Sequence, residues 1–176
     1  MEEEIYLIGS LRNEKVPELG LKIRELGFKV FDDWFSPGPE ADDFWRKFEK
    51  KRGSTYKEAL TNYAGTHIFE FDKYHLDRCK YAVLYMKAGK SCHLELGYMI
   101  GKGKTCFVLF DEEPERWDVM YQFAFLNGGN VCFSFDELKE ELIKIKEVKA
   151  NACVSLNSLH HNQESDNINL KQIREF

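Results

Sequence analysis

The chain has 176 residues, enough for one compact domain with a tail, and 43% of them are apolar, enough for a real core. A net charge of -5, with both signs interspersed, excludes a protein that holds nucleic acid through its phosphates, since that takes a basic surface. Small anionic ligands stay open, because a few local cations or a helix N-terminus can hold a phosphate.

Five cysteines, Cys79, Cys92, Cys106, Cys132 and Cys153, form an odd set with no C-x-x-C pair. Cys106 and Cys132 lie inside apolar runs and read as small core residues. This usage fits a reducing, cytoplasmic compartment. The acidic start, MEEE, runs straight into a strand, unlike a signal peptide. No apolar stretch approaches the ~18 residues that span a membrane, so neither membrane nor nucleic-acid polymer is an expected partner.

In chain order, Ile5 to Gly9 predicts a buried strand ended by glycine. Val16 to Leu26 follows with apolar residues at helical spacing, stopped by Gly27. Lys29 to Phe31 predicts a short second strand. Residues 32–42, DDWFSPGPEAD, are rich in turn formers and predict a long loop. A helix over Asp43 to Arg52 comes next, and then a second short one, with Ser54 as its expected cap, through about Tyr63. Phe69 to Cys79 predicts a helix and Tyr81 to Met86 a buried strand. A glycine loop, AGKS, leads into a helix through about Ile100 with Ser91 as the expected N-cap. Thr105 to Phe110 predicts another strand, Trp117 to Leu126 a helix, Val131 to Phe133 an edge strand, and Asp136 to Lys149 an amphipathic helix. Past Lys149 the composition turns to Asn, Ser, His and Gln, so 1–149 is expected to form the domain and 150–176 a mobile polar tail.

Strands alternating with helices predict an α/β fold, a doubly wound parallel sheet of about five strands in the flavodoxin-like or Rossmann-like manner. Ligands of such sheets bind beyond the carboxyl ends of the strands. That rule selects Gly9 to Asn13, Asp32 to Trp34, and Lys87 to Glu95.

The segment AGKSCHLELGY (88–98) concentrates the chemistry. A glycine loop passes from a buried strand into a helix N-terminus, whose free N–H groups favour an anion. Lys90 and Ser91 add a cation and a hydroxyl. Glu95 sits about one turn in, where the helix dipole favours its anion, which suits a nucleophile; equally, Glu95 could serve only to complement that dipole. Gly89-Lys90-Ser91 resembles the end of a P-loop, but Leu84 stands where that motif needs glycine. His93-Leu94-Glu95 has the H-x-E spacing of zinc deaminases without the P-C-x-x-C that must follow. There is no G-x-G-x-x-G. Asp72, before the third strand, could pair with Glu95 as nucleophile and proton donor, with Asp77 as a rival. Trp34, Phe35, Trp45 and Phe48 could stack on a base or simply pack.

IYLIGS at the start, Phe71-Asp72 before the third strand, and GKSCHLELGYMIGKGK together resemble the nucleoside 2-deoxyribosyltransferase superfamily over about residues 5–145. That superfamily includes deoxynucleoside 5'-monophosphate N-glycosidases. The resemblance implies a flavodoxin-like sheet, Glu95 as the nucleophile at C1' of the sugar, and Asp72 as the partner handling the base proton. It implies that Gly9 lets the backbone approach the ligand beside Tyr6 and Ser10, and that Lys90 and Ser91 hold the 5' end. It also implies a small-molecule nucleoside or nucleotide as substrate, no cofactor or metal, and a homodimer or larger homo-oligomer. One departure matters: the transferases carry a second acid six residues before the nucleophile, where this chain has Gly89, which leaves hydrolysis as open as base exchange. A non-catalytic nucleotide-binding module and an NAD glycohydrolase are the alternative expectations; TIR-type NADases likewise place a glutamate beside an α/β sheet.

Overall fold

A computed structural model describes residues 4–148. The chain divides into two compact units, Met1–Leu138 and Lys139–Phe176. In the second, the described residues 139–148 are helical, and the expected tail at 150–176 lies outside the described residues.

Five strands form one all-parallel sheet in the order β2-β1-β3-β4-β5: β1 (Glu4–Ile8), β2 (Lys29–Phe31), β3 (Tyr81–Tyr85), β4 (Thr105–Leu109) and β5 (Asn130–Cys132). This is the predicted flavodoxin-like, Rossmann-like α/β architecture. β1 connects outward to β2 in one direction and the chain then crosses back past β1 to β3, so the switch in direction falls between β1 and β3. Right-handed crossovers therefore place α1 (Val16–Glu25) on one face, and α4 (Tyr63–Arg78) and α5 (Lys90–Gly101) on the other.

Side-chain alternation distributes the core accordingly. Tyr6, Ile8, Ala82, Leu84, Cys106 and Val108 form one cluster with Leu76 of α4 and with Cys92, Leu96 and Met99 of α5. Ile5, Leu7 and Val83 are buried on the opposite face, as are Val16, Leu19 and Ile23 of α1. Cys106 and Cys132 are buried thiols, as their apolar surroundings predict.

Several boundaries differ from the sequence expectation. Residues 32–42 are not all loop: Asp33–Phe35 makes a 3₁₀ turn, and α2 (Ala41–Lys51) starts early. The cap of α3 (Tyr56–Ala59) is Thr55, not Ser54. Thr55 Oγ1 accepts the Glu58 N–H at 3.3 Å while Glu58 returns the bond to the Thr55 N–H at 2.8 Å. Ser54 instead donates to the buried Glu49 carboxylate at 2.8 Å. Helix α4 begins at Tyr63, six residues earlier than expected. Gly65, which reads as a breaker, is needed there, because a Cβ would lie 2.5 Å from the Ala59 carbonyl. Ser91 does not cap α5; Gly89 takes that position and makes no side-chain bond. The helix expected over 117–126 is a 3₁₀ segment, Val119–Gly128, whose first turn is capped by Asp118 on Met120 N–H at 3.0 Å. It breaks at Leu126, which is extended, and Asn127, whose φ is 56°. Among the described residues no helix is long and apolar enough to cross a membrane.

Candidate active site

Tyr6 points from the middle of β1 towards the α4–α5 face and is 1% exposed. Asp72 comes down from α4 and Glu95 across from α5, so three groups separated by 66 and 23 residues in sequence meet over one strand. Their electrostatics record the meeting. Burial pushes the Glu95 carboxyl up to about 8, and the charge of Asp72 adds to the push. Burial likewise raises Asp72 to about 6, opposed by the Tyr6 hydroxyl, which hydrogen-bonds its carboxylate. Tyr6 is itself held neutral, by burial first and then by the charges of Glu95 and Asp72.

This reverses the expected electrostatics of Glu95. A helix N-terminus favours an anion by about 0.3–1 kcal/mol. A carboxyl displaced from 4.5 to about 8 is biased against its anion by roughly 5 kcal/mol. Desolvation outweighs the helix end, with the charge of Asp72 adding to it. The same shift disfavours the reading of Glu95 as a mere complement to the dipole.

Position separates Asp72 from Asp77. Asp77 is solvent-facing, accepts from Lys73 at 2.5 Å and from the Tyr98 hydroxyl at 2.6 Å, and is held near 2 by those bonds. Only Asp72 is close enough to act on Glu95.

Gly9 earns its place by close approach. An added Cβ would lie 2.8 Å from Val16 Cγ2 and 3.6 Å from the Trp34 ring. Its carbonyl accepts the Cys92 thiol at 3.2 Å, a bond available because burial and Glu95 keep that thiol protonated. Trp34 donates its indole N–H to the Leu7 carbonyl at 2.7 Å, extending the hydrogen bonding of β1 past the end of β2. Its polar end is thus committed to backbone, and only its ring face is left for a ligand. Asp32 is turned away: its carboxylate pairs with Arg24 of α1, with one contact at 3.0 Å, so the expected ligand role at this position lacks a free group.

A cavity of about 930 Å³ lies over the carboxyl ends of β1, β3 and β4. Ser10, Arg12, Lys15, Lys87 and Asp111 are among its lining residues. Ser10 is where the sequence expects it, with its hydroxyl accepting the Arg12 N–H at 3.2 Å. Gly89, Lys90 and Ser91 open α5 but do not line the cavity, and Lys90 and Ser91 are exposed. Arg12 and Lys15 were missed as site residues although they lie in or beside the stretch after β1; two cations following Gly9-Ser10 were the available signal. Lys15 reaches Asp111 at 3.1 Å, and Asp111 also accepts the Tyr85 hydroxyl at 2.9 Å, a link between strand ends that spacing cannot reveal.

Among the described residues no group of three or more His, Cys, Asp or Glu side chains is placed to hold a metal ion. What the arrangement offers chemically is a pair of half-buried carboxyls, each raised and coupled through charge, beside a neutral phenol. Such a pair divides into acid and base or acid and nucleophile. No family model matches the chain and no curated protein sequence matches it, so the chemistry of the site stands on its own residues.

Proposed function

We propose that the protein cleaves or transfers at the N-glycosidic bond of a nucleoside, a deoxynucleoside or a nucleoside 5'-monophosphate, with Glu95 as nucleophile and Asp72 as proton donor. The observation that carries this reading is the convergence of half-buried Glu95 and Asp72 on buried Tyr6, with both carboxyls raised into the range where the pair holds one proton near neutrality.

The reaction balances on these groups alone. A Glu95 oxygen forms a bond to C1' as the C1'–N bond breaks. The electron pair leaves with the base nitrogen, and Asp72 delivers its proton to the base. Charge developing at C1' is stabilised by the carboxylate in a site where burial strengthens the interaction. Water then adds to C1', gives its proton to Asp72 and releases Glu95, which is hydrolysis with retained configuration. The N–H of a second base in place of water gives transfer. The pair's proton lies mainly on Glu95 in the free protein, so attack requires it on Asp72 instead. A base nitrogen accepting a hydrogen bond from Asp72 favours that shift, and Tyr6 holds the Asp72 side chain in place for it.

Ser10 and Arg12, which line the cavity after Gly9, are the groups suited to a 5' hydroxyl or phosphate, Arg12 by exchanging its 3.2 Å ion pair with Asp43 for the ligand. Exposed apolar side chains on α2 to α4, among them Phe44, Phe48, Tyr56, Phe69 and Tyr74, support association with a second copy; sedimentation would read a dimer or larger assembly.

The test is incubation with deoxynucleosides and their 5'-monophosphates, with and without a second free base, followed by chromatography of released base. Base release abolished in Glu95→Ala is expected. Turnover that survives Glu95→Ala overturns the assignment. Tight binding of unaltered nucleotide without turnover favours a sensing module, and release of nicotinamide from NAD favours glycohydrolase activity on that dinucleotide.

A further inference from the structure

His93 lies two residues before Glu95, about 200° away around α5, and takes no part in the carboxyl pair. Its ring is nonetheless fixed at both nitrogens. Nδ1 is 2.8 Å from the Gly89 carbonyl oxygen, and Nε2 is 2.9 Å from the Tyr121 hydroxyl. A carbonyl only accepts, so Nδ1 carries the proton. In the neutral ring Nε2 is then bare and accepts the Tyr121 O–H.

We propose that His93, held by Tyr121, is a positioning residue that fixes the loop between β3 and α5 in the shape the substrate needs. This rests on the glycosidic reading above. Met86 is tied to the Leu109 carbonyl at 2.9 Å, and Met86 and Ala88 pack on the core, but the last residues before α5 have fewer ties. Gly89 is the N-cap of α5 and has no side chain to cap with, and a Cβ there would meet nothing within 4 Å. Lys87 is almost wholly exposed, with its nearest partner Glu112 3.8 Å away. An ordinary N-cap ties the first turn from the loop side; here an imidazole one turn inside the helix ties it from the opposite direction.

Tyr121 supplies the anchor. Its ring packs edge-on against Phe110 at 5.3 Å, directly after β4, and its hydroxyl also lies 3.8 Å from Met86 Sδ, directly after β3. The His93–Tyr121 pair thus joins the chain leaving β3 to the chain leaving β4. Met86, Lys87 and Phe110 line the large cavity over the strand ends. The first turn of α5 also carries Cys92, whose thiol grips Gly9. A loop released at Gly89 shifts the floor on which the sugar and its 5' end rest, while Glu95 and Asp72 keep their places on their helices. The expected signature is weaker binding with chemistry preserved.

Three variants separate the two bonds. His93→Asn keeps an N–H near Nδ1 for Gly89 and loses Tyr121. Tyr121→Phe keeps the ring packing and removes the hydroxyl. His93→Ala removes both. Two readouts are taken on the full chain: kcat and KM for release of base from a deoxynucleoside 5'-monophosphate, and amide hydrogen exchange over residues 87–92 without substrate. His93→Ala is expected to raise KM about tenfold, the loss of two ordinary hydrogen bonds, with kcat nearly unchanged and exchange at 87–92 accelerated. His93→Asn is expected to recover part of both effects. Tyr121→Phe should match His93→Asn, and combining the two should add nothing further. A fall in kcat at constant KM, with an altered pH profile, would overturn the proposal in favour of a chemical role. Unchanged exchange at 87–92 in His93→Ala would overturn it outright. If the wild-type protein releases no base, the glycosidic reading is what fails, and the exchange result still decides whether the clamp exists.

Discussion

Glu95 makes the protein less stable as the pH rises, and the effect is large enough to measure. Its carboxyl is raised to about 8 in the folded state by burial and by Asp72, from an ordinary value of 4.5. Folding therefore favours the protonated form. The contribution is fully present below about 4.5 and is lost as pH rises through about 8. Within that window each pH unit removes about 1.4 kcal/mol. Glu95→Gln keeps the shape of the protonated acid and cannot ionise, so it escapes the loss. Relative to wild type, the variant should gain about 4 kcal/mol of stability between pH 5 and pH 9, nearly all of it before pH 8. Urea unfolding of the two proteins at pH 5, 6, 7, 8 and 9 reads the difference directly, because every other titrating group cancels in the comparison except those coupled to Glu95. Asp72 is such a group, but it ionises before Glu95, so its repulsion is already part of the raised Glu95 value and adds nothing further. A stability difference that stays flat from pH 5 to pH 9 would refute both the burial of Glu95 and its proximity to Asp72.

The same pair predicts that kcat/KM for base release peaks between about 6 and 8, falling below as a second proton loads Asp72 and above as the last proton leaves Glu95. Asp72→Asn should lower kcat by about a hundredfold or more and remove the acid limb. Arg12→Ala should raise KM for a nucleoside 5'-monophosphate about tenfold and leave KM for the unphosphorylated nucleoside unchanged, as measured by parallel assays on the two substrates. Lys104 donates to the Leu76, Asp77 and Cys79 carbonyls at 2.5–2.7 Å, closing the end of α4; Lys104→Met should cost about 2–3 kcal/mol in denaturant unfolding. Gly129→Ala would set a Cβ 2.0 Å from the Cys106 carbonyl and 2.3 Å from that of Ala124. Both are backbone atoms that cannot rotate aside, so a loss of about 3 kcal/mol or more is expected by the same measurement.

The sheet was legible because buried parallel strands are short continuous apolar runs, and IYLI, YAVLY and TCFVL are such runs bounded by turns. The helix ends were less so, because a cap is chosen by geometry as much as by residue type. Ser54 and Thr55 are equally good caps in sequence, and Glu58 selects Thr55 while Glu49 claims Ser54. At the candidate site, the rule that ligands lie beyond strand ends pointed to Gly9 and Ser10, and the segments around ELGY and Phe71-Asp72 pointed to Glu95 and Asp72, which the fold brings near one another. Neither could find the Cys92–Gly9 or His93–Tyr121 contacts, which join residues 83 and 28 apart and depend on how α5 is rolled against the sheet. The pairing of Asp32 with Arg24, which faces it from α1, is likewise one that a one-dimensional pattern does not display.

The sign of the Glu95 shift bears on how the site works. Sequence logic sought a nucleophile stabilised as an anion by a helix end, yet a well-stabilised anion is a poor nucleophile. Burial does the opposite: it raises the free energy of the carboxylate and so, in the proposed reaction, would bring the ground state nearer the transition state, where a positive centre at C1' would offset the charge. The cost appears as lost fold stability at alkaline pH, and the charge of the neighbouring Asp72 adds to it. Tyr6 cannot relieve the charge by giving up its own proton, since burial and both carboxyls hold it neutral. A ligand with a cationic or developing cationic centre at Glu95 is then what discharges the stored destabilisation. Binding of such a ligand should accordingly be tighter at pH 8 than at pH 6, whereas a neutral nucleoside bound without reaction should show the weaker pH dependence of its 5' contacts alone.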